Sequence, residues 1–280
     1  MAEIIAICNQ KGGIGKTTSV INIGAVLAKP KDKGGLGKKV LIIDLDPSRN
    51  VTQFFRFDEE NDDNPTITDL FEMCISDTYS VSDEALAKSI RHNDTNNIDY
   101  IPADINVSML YRQLTKTLQP HMVLKQIVTN KILSDYDYIL IDNASAFDDV
   151  MFNILAAANY LLIAVQTELF SYNGIDGTFQ FFNLVTKRGL NPELKILGIL
   201  PTMYGNNNVS KRTLETIKEN HPKLLFKSII SETKEVSMSV ETGKALCYFS
   251  KHYKKANKIG QEYTDATKEL VRRIRALNKN

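Results

Sequence analysis

Short runs of Ile, Val and Leu recur along the chain, and between them apolar residues return every three or four positions. Runs that are apolar throughout belong to strands buried on both faces, and the slower period belongs to the helices that cross between them. On this reading strands lie at 4–9, 40–44, 98–102, 138–142, 160–165, 195–202 and 228–230. Helices lie near 17–29, 82–90, 107–118, 122–133, 150–158, 172–187, 210–220 and 264–276. The alternation predicts an α/β fold: a single domain over 1–280, with a mostly parallel twisted sheet flanked by helices and a helical region from about 235 to 280. Residues 30–37, with a proline and three glycines, and 58–65, where five carboxylates crowd eight positions, read as loops.

Composition narrows the class without choosing a function. The 280 residues are 43% hydrophobic and 24% charged, with a net charge of +1, which excludes disordered, collagen-like and fibrous chains. The longest apolar run is about six residues, against the ~20 that a membrane-spanning helix needs, and Met1-Ala2-Glu3 does not open a leader, so a cytoplasmic protein is expected. Cys8, Cys74 and Cys247 are scattered and read as reduced thiols, and the four histidines have no metal-binding spacing. Charge is unevenly placed. Residues 58–104 hold thirteen acidic side chains against Lys88 and Arg91, whereas 251–280 hold nine basic ones against three acidic.

The strongest chemical signal is Lys11-Gly12-Gly13-Ile14-Gly15-Lys16-Thr17-Thr18, directly after a predicted strand and directly before a predicted helix. Glycines let backbone N–H groups turn inward around an anion, and the new helix points its positive end at the same spot. Lys16 adds a point charge for β- and γ-phosphates, and the Thr17 hydroxyl is a ligand for Mg²⁺. Asp142 ends an apolar strand, the arrangement in which a carboxylate acts on that Mg²⁺ or one of its waters. Asp44 and Asp46, followed by Pro47, close another strand one residue apart.

A GxxxxGK[ST] loop would begin with glycine at position 10, where this chain has Gln10, and the loop carries a second lysine, Lys11. This KGGxGKT form with a following DxDP resembles the deviant Walker A ATPases of the ParA/MinD class. Within that class NQKGGIGKTTSVIN, VLIIDLDPSRNVT, YDYILIDNASA, LLIAVQTELFSYNGIDG and PTMYGNNNVS resemble, in order, the ParA/Soj partition ATPases. The resemblance implies an AAA-type ATPase with ATP and Mg²⁺ as cofactors and slow hydrolysis. It gives Asp46 the attacking water and places Asp44 near the metal with Thr17 and Asp142. The 12–18 backbone holds phosphates, Thr18 reaches the α-phosphate, and Thr202 and Met203 meet adenine, with Ile230 and Ser231 beside them. Lys11 would cross into a second subunit's nucleotide in an ATP-dependent homodimer. The dimer would bind nonspecific DNA on the nucleoid, and a ParB-like partner would stimulate hydrolysis, with no membrane involved.

Departures from the family pattern sit beside the catalytic strands. Asp46-Pro47-Ser48-Arg49-Asn50 replaces Asp-Pro-Gln-Gly-Asn, which puts a cation near the phosphates. Asp142-Asn143-Ala144-Ser145 replaces Asp-Cys-Pro-Pro, and loss of the prolines predicts a looser switch segment. The family's DNA-contacting basic residue aligns with Glu232, so Lys254, Lys255, Arg272 and Arg273 stand as the substitute patch. Rival readings are a MinD-like membrane ATPase, using the stripe Ala266, Leu270, Ile274 and Leu277, and a noncatalytic ATP-binding scaffold. An iron–sulfur reductase would need paired bridging cysteines, which Cys8 and Cys74 do not supply.

Overall fold

The computed structural model describes residues 1–279 apart from 77–79, 116, 118, 147 and 169–170. In chain order its strands are β1 (Glu3–Cys8), β2 (Val40–Leu45), β3 (Arg91–Asn93), β4 (Ile98–Ile101), β5 (Tyr138–Asn143), β6 (Tyr160–Gln166) and β7 (Lys195–Thr202). The helices are α1 (Lys16–Ala28), α2 (Asn50–Phe54), α3 (Ile67–Ser76), α4 (Asp83–Ser89), α5 (Leu110–Leu114), α6 (Val123–Val128), α7 (Asp149–Ala157), α8 (Ser171–Lys187), α9 (Asn208–Asn220), α10 (Glu235–Thr242) and α11 (Lys254–Leu277). The strands form one sheet in the order β3-β4-β2-β5-β1-β6-β7, parallel throughout except for the antiparallel edge strand β3.

Successive side chains of each strand enter two different cores. Ile4, Ala6 and Cys8 join Leu41, Ile43, Ile139 and Ile141 on one face, under α3 and α5 to α7. Ile5 and Ile7 join Ile42, Leu140 and Leu162 on the other, under α1 and α11. Covering both faces is the reason the strands read as unbroken apolar runs rather than as alternation. From β1 the chain crosses to β2 on one side, and it later reaches β6 and β7 on the other. The loop after β1 therefore opens where the winding direction changes, the place at which sheets of this kind accept ligands.

Several expected elements differ. Residues 228–230 form no strand: only single bridges join Leu225 to Ile199 and Ser231 to Tyr204. The Glu269 carboxylate accepts the Lys227 N–H at 3.0 Å and the Ser228 N–H at 3.1 Å, and the latter is the donor that would have continued the pairing begun by the Phe226 N–H on the Ile199 carbonyl. The 107–118 helix shrinks to a tight turn over Ile105–Met109 and α5, and its predicted end, Leu118, lies outside the described residues. So do Leu169 and Phe170 of the fourth resembling block. The 122–133 helix stops after Val128, because the Asn130 side chain accepts the Ile132 N–H at 3.0 Å and starts a new turn. Helices α2 and α3 and strand β3 have no counterpart among the expected elements, α10 falls at the start of the expected 235–280 helical region, and α11 begins ten residues before 264.

Helix α11 buries Ala256, Ile259, Tyr263, Ala266, Leu270 and Ile274 against the sheet. The stripe that a membrane reading would require is thus largely occupied by the protein's own core. No helix among the described residues is long and apolar enough to cross a membrane. Glu269 anchors the far half of α11, receiving two backbone donors and pairing with Arg273 at 2.8 Å. Arg273 also lies 4.2 Å from the Phe226 ring centre and donates to the Leu224 carbonyl at 3.1 Å.

These bonds hold the Glu269 carboxyl below its ordinary value, against the opposing effect of burial. A depressed carboxylate contributes stability above its unfolded value of 4.5, and that contribution is lost as pH falls through the folded value. Glu269→Ala should cost about 3 kcal/mol by urea denaturation at pH 7, and the gap should narrow on acidification below the unfolded value. An unchanged midpoint would show that α11 is held by its apolar face alone.

Candidate functional site

The loop after β1 is pinned before it turns. Asn9 Nδ2 donates to the Ala164 carbonyl at 2.6 Å, and its Oδ1 accepts the Lys11 N–H at 3.1 Å. Gly13 and Gly15 then adopt φ of +70° and +85°, which residues with side chains rarely take, and α1 starts at Lys16. No side chain caps α1, and no acidic residue stands in its first turn. Its first amide donors and its positive end are therefore available to an anion. Thr202 Oγ1 donates to the Ile14 carbonyl at 2.7 Å, which fixes the loop to the end of β7.

Lys16 is only 6% exposed. Its Nζ donates to Ser145 Oγ at 2.6 Å and to the Lys11 carbonyl at 3.2 Å. Burial pulls its pKa below the ordinary lysine value, and Asp142 is the leading opposing influence. Asp44 and Asp142 face each other in register on β2 and β5, both fully buried. Asp44 is satisfied by protein: Oδ2 accepts the Thr52 N–H and hydroxyl at 2.9 and 2.7 Å, and Oδ1 accepts the Asp46 N–H at 3.1 Å. Burial pushes its pKa up to about 6. Neither oxygen of Asp142 has a partner at hydrogen-bonding geometry, and burial, followed by the Asp44 charge, raises its carboxyl well above the usual range against the opposing pull of the nearby Thr17 hydroxyl and Lys16.

An orphaned buried carboxylate close to the Thr17 hydroxyl is the donor set that a hard divalent cation fits. The expected trio therefore divides. Thr17 and Asp142 have the free oxygens, whereas Asp44 is committed to Thr52 and to the turn that places Asp46. Asp46 lines the cleft, and its Oδ1 accepts the Ser48 N–H at 2.8 Å.

Thr17 and Asp46 line a cleft of about 530 Å³, and Asp44 and Asp142 lie buried beneath it. Gly12 to Thr18, Asp46 and Ser145 form its polar end, and Met203, Ile230, Val236, Ile259 and Tyr263 contribute an apolar end beside Thr202 and Ser231. Such a division suits a ligand with phosphates at one end and a flat base at the other. The Tyr204 N–H donates to the Ile230 carbonyl at 2.9 Å, which joins the two expected base-contacting segments. Lys11 Nζ stands 3.2 Å from Glu168 Oε2. Arg49 is tied to Glu59 and does not line the cleft, so its expected cation near the phosphates is not found. In the segment after β5, Asn143 Nδ2 donates to the Ile7 carbonyl at 2.8 Å, and Ser145 accepts from Lys16.

The four basic candidates do not form one patch. Lys254 and Lys255 are exposed at the start of α11, and Arg272 is exposed near its end, roughly 27 Å away at 1.5 Å per residue. Arg273 is engaged by Glu269 and Phe226, which gives it a structural role. Residue spacing along a long helix concealed this separation. Ser145 escaped notice because nothing in its sequence context marks a hydroxyl beside Lys16.

An AAA domain family model matches residues 2–196. The chain is 30% identical over 272 residues to the sporulation initiation inhibitor protein Soj of Bacillus subtilis (strain 168), covering 97% of this chain and 99% of that protein. It is 28% identical to the chromosome partitioning protein ParA of Myxococcus xanthus (strain DK1622), covering 98% and 89%. Among solved structures, cobyrinic acid a,c-diamide synthase from Mycobacterium smegmatis with bound ADP and magnesium superposes with a TM-score of 0.71 at 27% identity, covering 91% of this chain and 96% of that one.

The raised Asp142 carboxyl makes a stability prediction. A carboxyl whose pKa rises on folding favours the folded state at low pH, and that contribution is lost as pH climbs through the folded value. Asp142→Asn should therefore melt about 2–4 °C above the parent at pH 8 without added nucleotide or metal. The difference should close towards pH 4. A parent protein that melts higher at pH 8 would contradict the burial of an uncompensated charge.

Proposed function

The chain belongs to the AAA domain family and, within it, to the ParA/Soj-type ATPases of the ParA/MinD class, and on that premise we propose that it is an ATP-driven DNA partition protein with slow turnover. The observation that carries the nucleotide chemistry is the uncapped, glycine-led start of α1, with Lys16 buried beside the orphaned Asp142. ATP with Mg²⁺ is the ligand this arrangement fits. The magnesium would neutralise phosphate charge, held by Thr17 and Asp142. Lys16 and the 12–18 backbone bind the phosphates, Thr18 lies towards the α-phosphate, and Thr202 and Met203 border the base. Asp46 orients the attacking water, and Asp44 fixes the turn that aims it.

Lys11 bears on assembly. Its ammonium is turned to Glu168 rather than into its own loop, so it is available to meet phosphates presented by a second subunit, neutralising charge in trans. The working form is then an ATP-dependent homodimer, bound to nonspecific DNA on the nucleoid, with hydrolysis stimulated by a ParB-like partner. DNA contact runs through Lys254 and Lys255 at one end of α11 and Arg272 at the other. Pairing two subunits doubles each weak patch, so ATP can switch affinity without changing either one. The burial of Ala266, Leu270 and Ile274 speaks against the membrane alternative.

Lys16→Ala should abolish ATP binding, whereas Asp46→Ala should retain it and lose hydrolysis by about 100-fold or more. Parental turnover by Asp46→Ala would remove the water-orienting assignment and favour a noncatalytic scaffold. Lys11→Ala should bind a nonhydrolysable ATP analogue yet remain monomeric by light scattering, and a normal dimer would refute the trans role.

Charge reversal at Lys254 and Lys255, and separately at Arg272, should each weaken ATP-dependent retention of random-sequence DNA and reduce its salt dependence. Dimerisation should persist in both variants. Undiminished retention by both would move the DNA surface elsewhere, with Lys211 and Arg212 next to be tested.

A further inference from the structure

The shortest bond that Lys16 makes is to a side chain. Ser145 Oγ accepts from its ammonium at 2.6 Å, while the Lys11 carbonyl accepts at 3.2 Å. Ser145 lies three residues beyond Asp142, on the segment that leaves β5 for α7, and it lines the polar end of the cleft. A Cβ placed on Gly12 would come within 3.6 Å of this hydroxyl, so the oxygen faces the glycine turn. A serine hydroxyl accepts and donates at once. Having accepted from Lys16, it has a proton with no acceptor among the described residues. Ala144 and Ala146 on either side offer no polar atom beyond the backbone.

We propose that Ser145 reads the terminal phosphate and sets the preference of this site for nucleoside triphosphate over diphosphate. Its oxygen stands 2.6 Å from the ammonium of Lys16, the side chain read above as the phosphate-binding cation. With a triphosphate in the cleft, Lys16 transfers its hydrogen bond to the γ-phosphate, and the Ser145 O–H donates to a γ-phosphate oxygen. A diphosphate brings no such oxygen, and Ser145 then keeps its hold on Lys16. The donor is neutral, so the contact adds selectivity without adding charge, and a hydrogen bond to an ionised acceptor is stronger than one between neutral groups. Ser145 also opens the segment whose Asp148 carboxylate accepts the Val150 N–H at 3.1 Å and starts α7.

The inference rests on the ATP reading given above, and the two can be tested separately by titrating the full chain with AMPPNP and with ADP, both with Mg²⁺. The parent, Ser145→Ala and Ser145→Thr would be compared by calorimetry. Ser145→Ala should lower the ratio of AMPPNP to ADP affinity about tenfold, chiefly through AMPPNP, and Ser145→Thr should restore it. A ratio unchanged in Ser145→Ala, or an equal loss for both nucleotides, overturns the role in discrimination while leaving the ATP site intact. A parent that binds neither nucleotide overturns the ATP reading itself and this inference with it.

Discussion

The constraint on which the site depends is the placement of two carboxylates, Asp44 and Asp142, in register at the ends of adjacent, fully buried strands. Two like charges side by side and away from water are costly unless each finds compensation. The compensation is unequal. Asp44 receives three protein donors, through Thr52 and the Asp46 N–H, and these bonds start the turn that leads into α2. Asp142 has no partner at hydrogen-bonding geometry and is offset only by the neighbouring Thr17 hydroxyl and the Lys16 charge. One carboxylate thereby organises the protein, and its neighbour keeps oxygens without a hydrogen-bond partner.

The same asymmetry explains what was legible in the sequence. The glycine loop, Lys16, Thr17 and Asp142 could be brought together from the sequence because residue type, spacing and position at a strand end place them at one edge of the sheet. Asp44 could not be separated from Asp46 in that way, since the difference lies in Thr52, eight residues along the chain from Asp44. The central strands were legible because burial on both faces requires continuous apolar runs. Edge strand β3, Arg91–Asn93, has no such requirement and left no signal. Helix α3 was hidden within a strongly acidic region, although Ile67, Leu70, Phe71 and Cys74 bury one face of it. At 228–230 the apolar character was real, but the backbone donors at Lys227 and Ser228 had been claimed by Glu269, forty-one residues from Ser228.

Charge on the C-terminal helix shows why composition alone misleads about surfaces. A basic segment suggests a single electrostatic footprint, yet α11 is 24 residues long and its basic residues divide between its ends and its packing. Arg273 satisfies the carbonyls of the 223–225 turn and stacks on Phe226, so its charge is part of the fold. Lys254, Lys255 and Arg272 remain exposed. Any extended polyanion touching both ends must span most of the helix, a condition that a backbone of regularly spaced phosphates meets and a small anion does not.

The segment after β5 makes a parallel point about rigidity. Prolines restrict a chain by limiting its own dihedral angles, so they act before any contact is made. Asn143 and Ser145 restrict it by bonding, one to the Ile7 carbonyl at 2.8 Å and the other to Lys16 at 2.6 Å. A bonded restraint can be exchanged, whereas a proline cannot release its ring. Asn143 bonds to the backbone of β1, which has no reason to move, and so it acts as a fixed tether. Ser145 bonds to the side chain that must turn towards an incoming phosphate. With Asn143 in the place of the family's cysteine and Ser145 in that of its second proline, the base of the segment is anchored and its hold on Lys16 depends on what occupies the cleft.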